Sequence, residues 1–503
     1  MEIELKLAVE ANALELIENA FLPKLEKQDG VYVKRCQKDV FNEYYDTPEQ
    51  LLGKRKMGLR VRKVEGQFEQ TVKTQGQVQG GLHQRPEYNV PLDSGTPDLH
   101  KFSVDIWDND FDVTEVNRSI QKLFTTHFTR TQFDIKLPEG EIELVLDLGE
   151  VKTDEDSLPI QEIELELKSG RPRLLFDIAD VLRETMPVRV SDVTKAARGY
   201  QLLTGKLPEV RYLPQYLALD YKDTTEDGLC KAMECALSHW QYHQALYLQT
   251  QNAKALSQVR EALLLLMQSV SLYLPVLQSD HLLKLHKKLL TIVQQWSWQE
   301  DLRSIHQLRS RKGPFCKRVP KNQQLVNYLL GRREGLILAY EPQKLLNSSL
   351  SAEVQLTTSR MLIEKPWRDQ TDGADIPVRS HANGWLSQSW QTVMQSLPAL
   401  NTDSKMTNLK YLALEVALKQ SLTNGFLLGD LFTDSRGQFR APWLDLLQGI
   451  EELKAIEFLK NALIECDVDD PLEFKQWVED KSRSLLEVME RSREVAMQAE
   501  VYW

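Results

Sequence analysis

Met1-Glu2-Ile3-Glu4-Leu5-Lys6-Leu7 alternates charged and apolar residues without a break from Glu2 onward. In an extended strand successive side chains point to opposite faces, so Glu2, Glu4 and Lys6 share one face and Ile3, Leu5 and Leu7 the other. The wording returns as Glu141-Ile142-Glu143-Leu144-Val145-Leu146-Asp147 and as Glu162-Ile163-Glu164-Leu165-Glu166-Leu167-Lys168. Basic strands repeat it with opposite sign: Leu59-Arg60-Val61-Arg62, Thr71-Val72-Lys73 and Arg85-Pro86-Glu87-Tyr88-Asn89-Val90. A single alternating strand usually keeps one face in water. This many, carrying both signs, predict charged faces turned inward around a closed antiparallel sheet.

Such an interior needs a guest. Small barrels normally fill their centre with apolar side chains, and a buried charge is costly unless paired or metal-bound. Arginine forks and lysine ammonium groups match phosphate oxygens. Clustered carboxylates are hard oxygen donors suited to Mg²⁺ or Mn²⁺. Metal plus polyphosphate satisfies both sets at once.

An ordered set of motifs runs through the first two hundred residues: Glu2-x-Glu4-x-Lys6, Tyr44-Tyr45-Asp46-Thr47, Arg60-x-Arg62, Lys73, Arg85-x-Glu87, Arg130, Asp147, Glu162-x-Glu164-x-Glu166 and Ser191-x-x-x-Lys195-Ala196-x-Arg198-Gly199. In that order they resemble the signature of the CYTH domain of triphosphate tunnel metalloenzymes. Gly80-Gly81-Leu82-His83-Gln84-Arg85 and the helical remainder resemble the bacterial inorganic triphosphatases that join this domain to a CHAD domain. The resemblance implies a hydrolase acting on phosphoric anhydride bonds, splitting inorganic triphosphate or short polyphosphate. It implies Lys6, Arg60, Arg62, Lys73, Arg85, Arg130, Lys195 and Arg198 on phosphate, and Glu2, Glu4, Asp147, Glu162, Glu164 and Glu166 on one or two divalent cations. Glu4, Lys6, Arg62, Glu87 and Lys195 stand nearest the chemistry, with Glu87 ordering water or metal, or else pairing with Arg85 or Arg130. Related tunnel enzymes cyclise ATP or hydrolyse thiamine triphosphate, and a non-catalytic polyphosphate-binding adaptor is the alternative of a different class.

With 503 residues the chain has room for about three domains. The fold class expected is α+β: an N-terminal antiparallel β-barrel tunnel with flanking helices over 1–204, a linker at 205–227, and an all-α helical-bundle domain over 228–503, divided near 369–384. Strands are expected at Val31 to Asp46, Phe124 to Lys136 and Glu141 to Gly149, the last two placing Arg130 beside Asp147. Gly76 to Gly81 reads as a turn, and Leu92 to Asn117 as irregular chain without an evident role. A formal charge of −11 argues against a general nucleic-acid binder. A charged first strand in place of a signal peptide, and no run of about 18 apolar residues, predict a cytoplasmic protein without a membrane segment. Cys36, Cys230, Cys235, Cys316 and Cys466 are scattered without zinc-like pairing and read as reduced.

In the helical half, His239 and His243 share a helix face at i and i+4 and read as packed or hydrogen-bonded, lacking a third ligand nearby. The segment is similar to the histidine-bearing start of CHAD domains, but the arginine-rich helix expected next is reduced to Arg260. A basic stretch from Arg303 through Arg311, Lys312 and Arg318 to Arg333 reads as a solvated face.

Overall fold

In the computed structural model, which describes residues 2–400, 405–432, 435–466, 468 and 471–503, the alternating segments all become strands of one antiparallel sheet. In chain order these are β1 (Glu2–Ala8), β2 (Tyr32–Asp46), β3 (Gly58–Val64), β4 (Gln67–Lys73), β5 (Gln77–Gln79), β6 (Leu82–Arg85), β7 (Glu87–Leu92), β8 (Gln121–Leu137), β9 (Gly140–Lys152), β10 (Ser157–Ser169) and β11 (Arg189–Val190). Their order across the sheet is β5-β6-β1-β10-β9-β8-β2-β3-β4-β7, with β11 also on β1.

The chain itself shows that the sheet curls. β6 lies near one end of this order and β7 at the other, yet only Pro86 separates them in sequence. Two residues span at most about 7 Å, so the two ends must meet at Pro86. Arg85 to Val90, read above as one strand, is therefore two strands with different partners: β6 pairs with β1 and β7 with β4. Proline has no N–H for a ladder, which suits it to the seam. Gly76 to Gly81 likewise holds more than a turn, since β5 lies within it.

The outward faces explain the register. Leu5, Leu7, Leu144, Leu146, Ile163 and Leu165 are fully buried, packed with Ile17 and Phe21 and with the stripe Leu174, Leu175, Ile178 and Leu182 of helix α1 (Arg173–Thr185). Each such side chain contributes about 1.5–3 kcal/mol. A slip of one residue would exchange every leucine with a glutamate, so the apolar faces hold the charged ones inward. The irregular region at 92–117 has a role after all: Leu99, Phe102, Trp107, Phe111 and Val116 cover the outward Leu59 and Val72 of β3 and β4.

The chain divides into two units. One comprises Met1–Glu209 and Asn347–Lys365, the other Val210–Leu346 and Pro366–Trp503. The strand-bearing unit also holds helix α2 (Lys195–Thr204) and, from far along the chain, helix α3 (Ser349–Glu364).

The second unit is helical. Its first long helix, Thr225–Thr250, opens with a reciprocal capping box between Thr224 and Asp227. The helices Arg436–Glu465 and Pro471–Gln498 each contribute to two apolar clusters among the described residues. The helix Ala253–Leu277 is long and apolar enough to cross a membrane by length and composition, yet Leu256, Val259, Leu263 and Leu266 are fully buried in the helical packing. All five cysteines are free thiols.

Candidate functional site

Register brings the charged rows together. Lys6 stands opposite Glu164, and Glu4 opposite Glu166. Glu162 stands opposite Asp147, Asp147 opposite Arg130, and Arg130 opposite Lys38. Arg62 faces Asn42 and Arg60 faces Tyr44, while Lys73 meets Glu87 and Glu2 meets Arg85.

These rows enclose a cavity of about 680 Å³, within the range of small-molecule sites. Of the residues singled out from the sequence, Glu2, Glu4, Lys6, Arg60, Arg62 and Lys73 line it, together with Arg85, Glu87, Arg130, Glu164, Glu166 and Lys195. Asp147, Glu162 and Arg198 stand behind the lining, tied to it by ion pairs. Lys195 Nζ lies 2.7 Å from Asp147 Oδ2, 2.5 Å from Glu162 Oε1 and 3.2 Å from Glu164 Oε1. Arg130 forks onto Asp147 at 2.8 and 2.7 Å, and Arg198 Nη1 donates to Glu162 Oε2 at 2.6 Å. Asp147, Glu162 and Glu164 each bring a carboxylate oxygen within 4.8 Å of the others.

The lining also includes residues that sequence reasoning passed over, among them Lys38, Thr71, Asn89, Gln132 and Glu143. Glu143 was visible in the repeat, two residues into the second acidic strand. Lys38 could have been found by counting inward positions along β2 from Tyr44, but nothing in its own neighbourhood alternates.

Beyond Arg130 the inward row turns apolar. Val40, Phe124, Phe128, Val151 and Ile160 form a buried cluster on which Ala196, Tyr200 and Leu202 of α2 pack. The plug delivers Lys195 from the first turn of a helix capped by Thr194. Close approach requires glycine at 199, where a Cβ would stand 2.2 Å from the Phe124 ring. Gly199→Ala is expected to destabilise the strand-bearing unit by about 1–3 kcal/mol. Urea unfolding checks this, and an unchanged midpoint would contradict the packing.

The electrostatics divide the wall in two. Burial works against charge on Asp147, Glu162 and Glu164, but Lys195, with Arg130, Arg198 and Lys6, outweighs it and keeps all three carboxyls below their usual range. Lys6 is hydrogen-bonded to Glu164. At the seam, burial is again overcome at Glu87, where Arg60 and Lys73 hold the carboxyl down to about 2. Lys73 Nζ bridges Glu87 Oε2 at 2.7 Å and Glu2 Oε2 at 2.8 Å. Burial wins at Glu2, whose carboxyl is pushed up to about 7 against the pull of Lys73.

The cationic side is different. Arg62 donates from Nε to Asn42 Oδ1 at 2.9 Å and has no ion-pair partner among the described residues. Burial, with Arg60 and Arg130 nearby, lowers its guanidinium to about 9. Arg60 pairs with Glu87 and Arg130 with Asp147 and Glu164, which leaves Arg62 as the guanidinium of the three without a carboxylate among the described residues, an arrangement suited to a compact anion.

In the helical unit, the histidine pair is hydrogen-bonded. His239 Nε2 meets Gln258 Oε1 at 2.9 Å, His243 Nδ1 meets the His239 carbonyl at 2.8 Å, and Arg211 N donates to His243 Nε2 at 3.2 Å. Within the basic stretch, Arg303 pairs with Glu261 and Glu451, and Arg318 with Glu473.

A curled antiparallel sheet whose inward faces carry carboxylates and guanidiniums around one cavity defines a tunnel-type domain. Residues 1–200 match the family model of the CYTH domain. An inorganic triphosphatase from Haemophilus influenzae is 38% identical over 168 residues, 32% of this chain and 45% of that protein. The chain thus spans about half the length of that relative. A Hippeastrum protein described as having a dominant triphosphatase activity is 21% identical, with 41% of this chain and 98% of that one covered at a TM-score of 0.32. The CHAD domain from the plant Ricinus communis is 13% identical, with 57% of this chain and 97% of that domain covered at a TM-score of 0.42.

Proposed function

We propose that the strand-bearing unit hydrolyses inorganic triphosphate to diphosphate and phosphate with a divalent cation, Mg²⁺ or Mn²⁺. The observation that carries this reading is the cavity wall itself, where Arg60, Arg62 and Arg130 converge beside a buried carboxylate set. A pure polyanion binder has no use for those carboxylates. The likeness to the Haemophilus inorganic triphosphatase supports this substrate over thiamine triphosphate or cyclisation of ATP.

Arg60, Arg62, Lys73, Arg85 and Arg130 would grip the phosphate oxygens, with Lys6 and Lys195 completing the positive charge and Arg198 steadying Glu162. The donor set is all oxygen, as a hard cation requires, with three carboxylate oxygens mutually within 4.8 Å; Lys195 Nζ, which pairs with all three, would give way to the cation and turn toward phosphate. Glu2, Glu4, Glu164 and Glu166 would hold it from the lining, and Asp147 and Glu162 from behind. When bound, it offsets charge building on the phosphoryl oxygens. Water attacks the terminal phosphorus, the bond to the bridging oxygen breaks, and diphosphate leaves. Phosphoryl transfer asks a protein chiefly for positioning and electrostatic stabilisation. Glu87, held ionised near 2, is a weak proton acceptor, so it would orient the water and leave its proton to another acceptor. The substrate is a soluble anion, and a cytoplasmic protein without nucleic-acid partners is the setting we propose; the helical unit would serve as a polyphosphate or protein contact.

Glu4→Gln tests the metal shell, since it removes a charge while keeping the side-chain size. Turnover is expected to fall at least about tenfold, by the 1.4 kcal/mol per decade rule, with the urea midpoint nearly unchanged. An unaltered rate and an unaltered metal requirement would show that Glu4 does not serve the cation.

A further inference from the structure

Helix α3 belongs to the strand-bearing unit, although the chain leaves that unit at Glu209 and returns only at Asn347. It packs on α1 and β11, and its Ala352 and Leu356 enter the same apolar cluster as Leu5, Leu7, Leu82 and Val190. Arg360 pairs with Asp177 and Asp180 of α1 at 3.0 and 2.9 Å, and Glu353 with Arg183 at 3.4 Å.

One contact leads further inward. Ser359 Oγ, buried, donates to the carbonyl of Gly80. Gly80 and Gly81 turn the chain between β5 and β6 with φ of +58° and +87°, a conformation that favours glycine. The Gly81 carbonyl accepts from Lys6 N at 3.3 Å, and the Lys6 carbonyl accepts from Ser191 N at 3.1 Å. A Cβ on Gly81 would stand 2.2 Å from Val190 Cγ1. The turn is therefore wedged between β1 and β11. It stands beside Lys6 and opens the short strand that carries Arg85, opposite Glu2.

We propose that Ser359 is a positioning residue for the tunnel wall, fixing the Gly80–Gly81 turn and through it the placement of Lys6 and Arg85 toward phosphate. A buried helical serine can bond back to its own helix, and Ser359 Oγ does lie 3.0 Å from the Gln355 carbonyl. The single hydroxyl proton is shared between that carbonyl, within α3, and the closer Gly80 carbonyl. The bond to Gly80 crosses to the sheet and touches the turn on which the inward basic groups depend. The kinetic consequence rests on the triphosphatase reading, whereas the structural consequence rests on the contacts alone.

The test uses the full-length chain carrying Ser359→Ala, with two readouts. Amide exchange at Lys6 and Ser191 is expected to quicken at least about threefold, and KM for triphosphate to rise by a similar factor with kcat held within about twofold, in the range of coupling through packed contacts. Unchanged exchange at both amides overturns the proposal, whatever happens to KM. Faster exchange with unchanged KM overturns the positioning role. Should the parent chain show no triphosphate turnover, it is the proposed function that fails, and exchange alone then decides whether Ser359 holds the turn.

Discussion

Lys195→Ala is expected to lower the stability of the strand-bearing unit by about 3–5 kcal/mol, the usual consequence of removing one partner from a buried ion pair. Lys195 is 9% exposed at its side chain and reaches Asp147, Glu162 and Glu164 at once. Without it Asp147 keeps Arg130 and Glu162 keeps Arg198, so the carboxylates lose their shared cation and gain mutual repulsion. Because the same ammonium faces the cavity, turnover of triphosphate should fall with stability. Urea unfolding of the full chain, followed by amide exchange in β9 and β10, checks the first effect. Exchange as slow as in the parent chain would show that the carboxylates do not depend on Lys195.

Arg62→Ala separates catalysis from stability. Among the described residues the guanidinium holds one hydrogen bond, to Asn42, and no ion pair, so its removal leaves none of their carboxylates bare. On the proposed function it would remove a charge-assisted contact to phosphate worth about 1.5–3 kcal/mol. We expect kcat/KM for triphosphate to fall at least about tenfold, with little change in the urea midpoint. Arg311→Ala, in the basic stretch of the helical unit, is expected to change kcat/KM less than about threefold, since it serves as a control outside the cavity. A protein that binds polyphosphate through its helices would show the reverse order in binding assays. Measuring both variants for hydrolysis and for long-chain polyphosphate affinity distinguishes the two.

Much of the cavity was legible because period-two alternation is a backbone property that tertiary context seldom reverses. Knowing that Leu5, Ile163 and Leu144 face outward is enough to turn Glu4, Glu164 and Glu143 inward. The neighbouring of Arg130 and Asp147 followed from the tight turn between their strands. Where the reading failed, the missing information was non-local. Nothing in Arg85 to Val90 says that Pro86 is the point where two ends of a sheet meet, because that depends on where β1 and β4 find their partners. Lys38 and Asn42 sit on a long strand whose own residues do not alternate, and only the register with Arg130 and Arg62 reveals them. The helix Ser349–Glu364 lies among many helices, and an apolar face carries no address. Its membership of the strand-bearing unit is set by Ala352, Leu356 and Arg360 meeting α1, a match of surfaces that composition cannot express.

The central claim is that the charged cavity hydrolyses inorganic triphosphate with a divalent cation among its carboxylates. Its most direct test is release of phosphate and diphosphate from triphosphate, ATP and thiamine triphosphate by the full-length chain, with Mg²⁺, with Mn²⁺ and in excess EDTA. We expect equal amounts of phosphate and diphosphate from triphosphate when a cation is present, slower reaction with the other two substrates, and no turnover in EDTA. Full turnover in EDTA, or binding of triphosphate without hydrolysis under any of these conditions, would contradict the account.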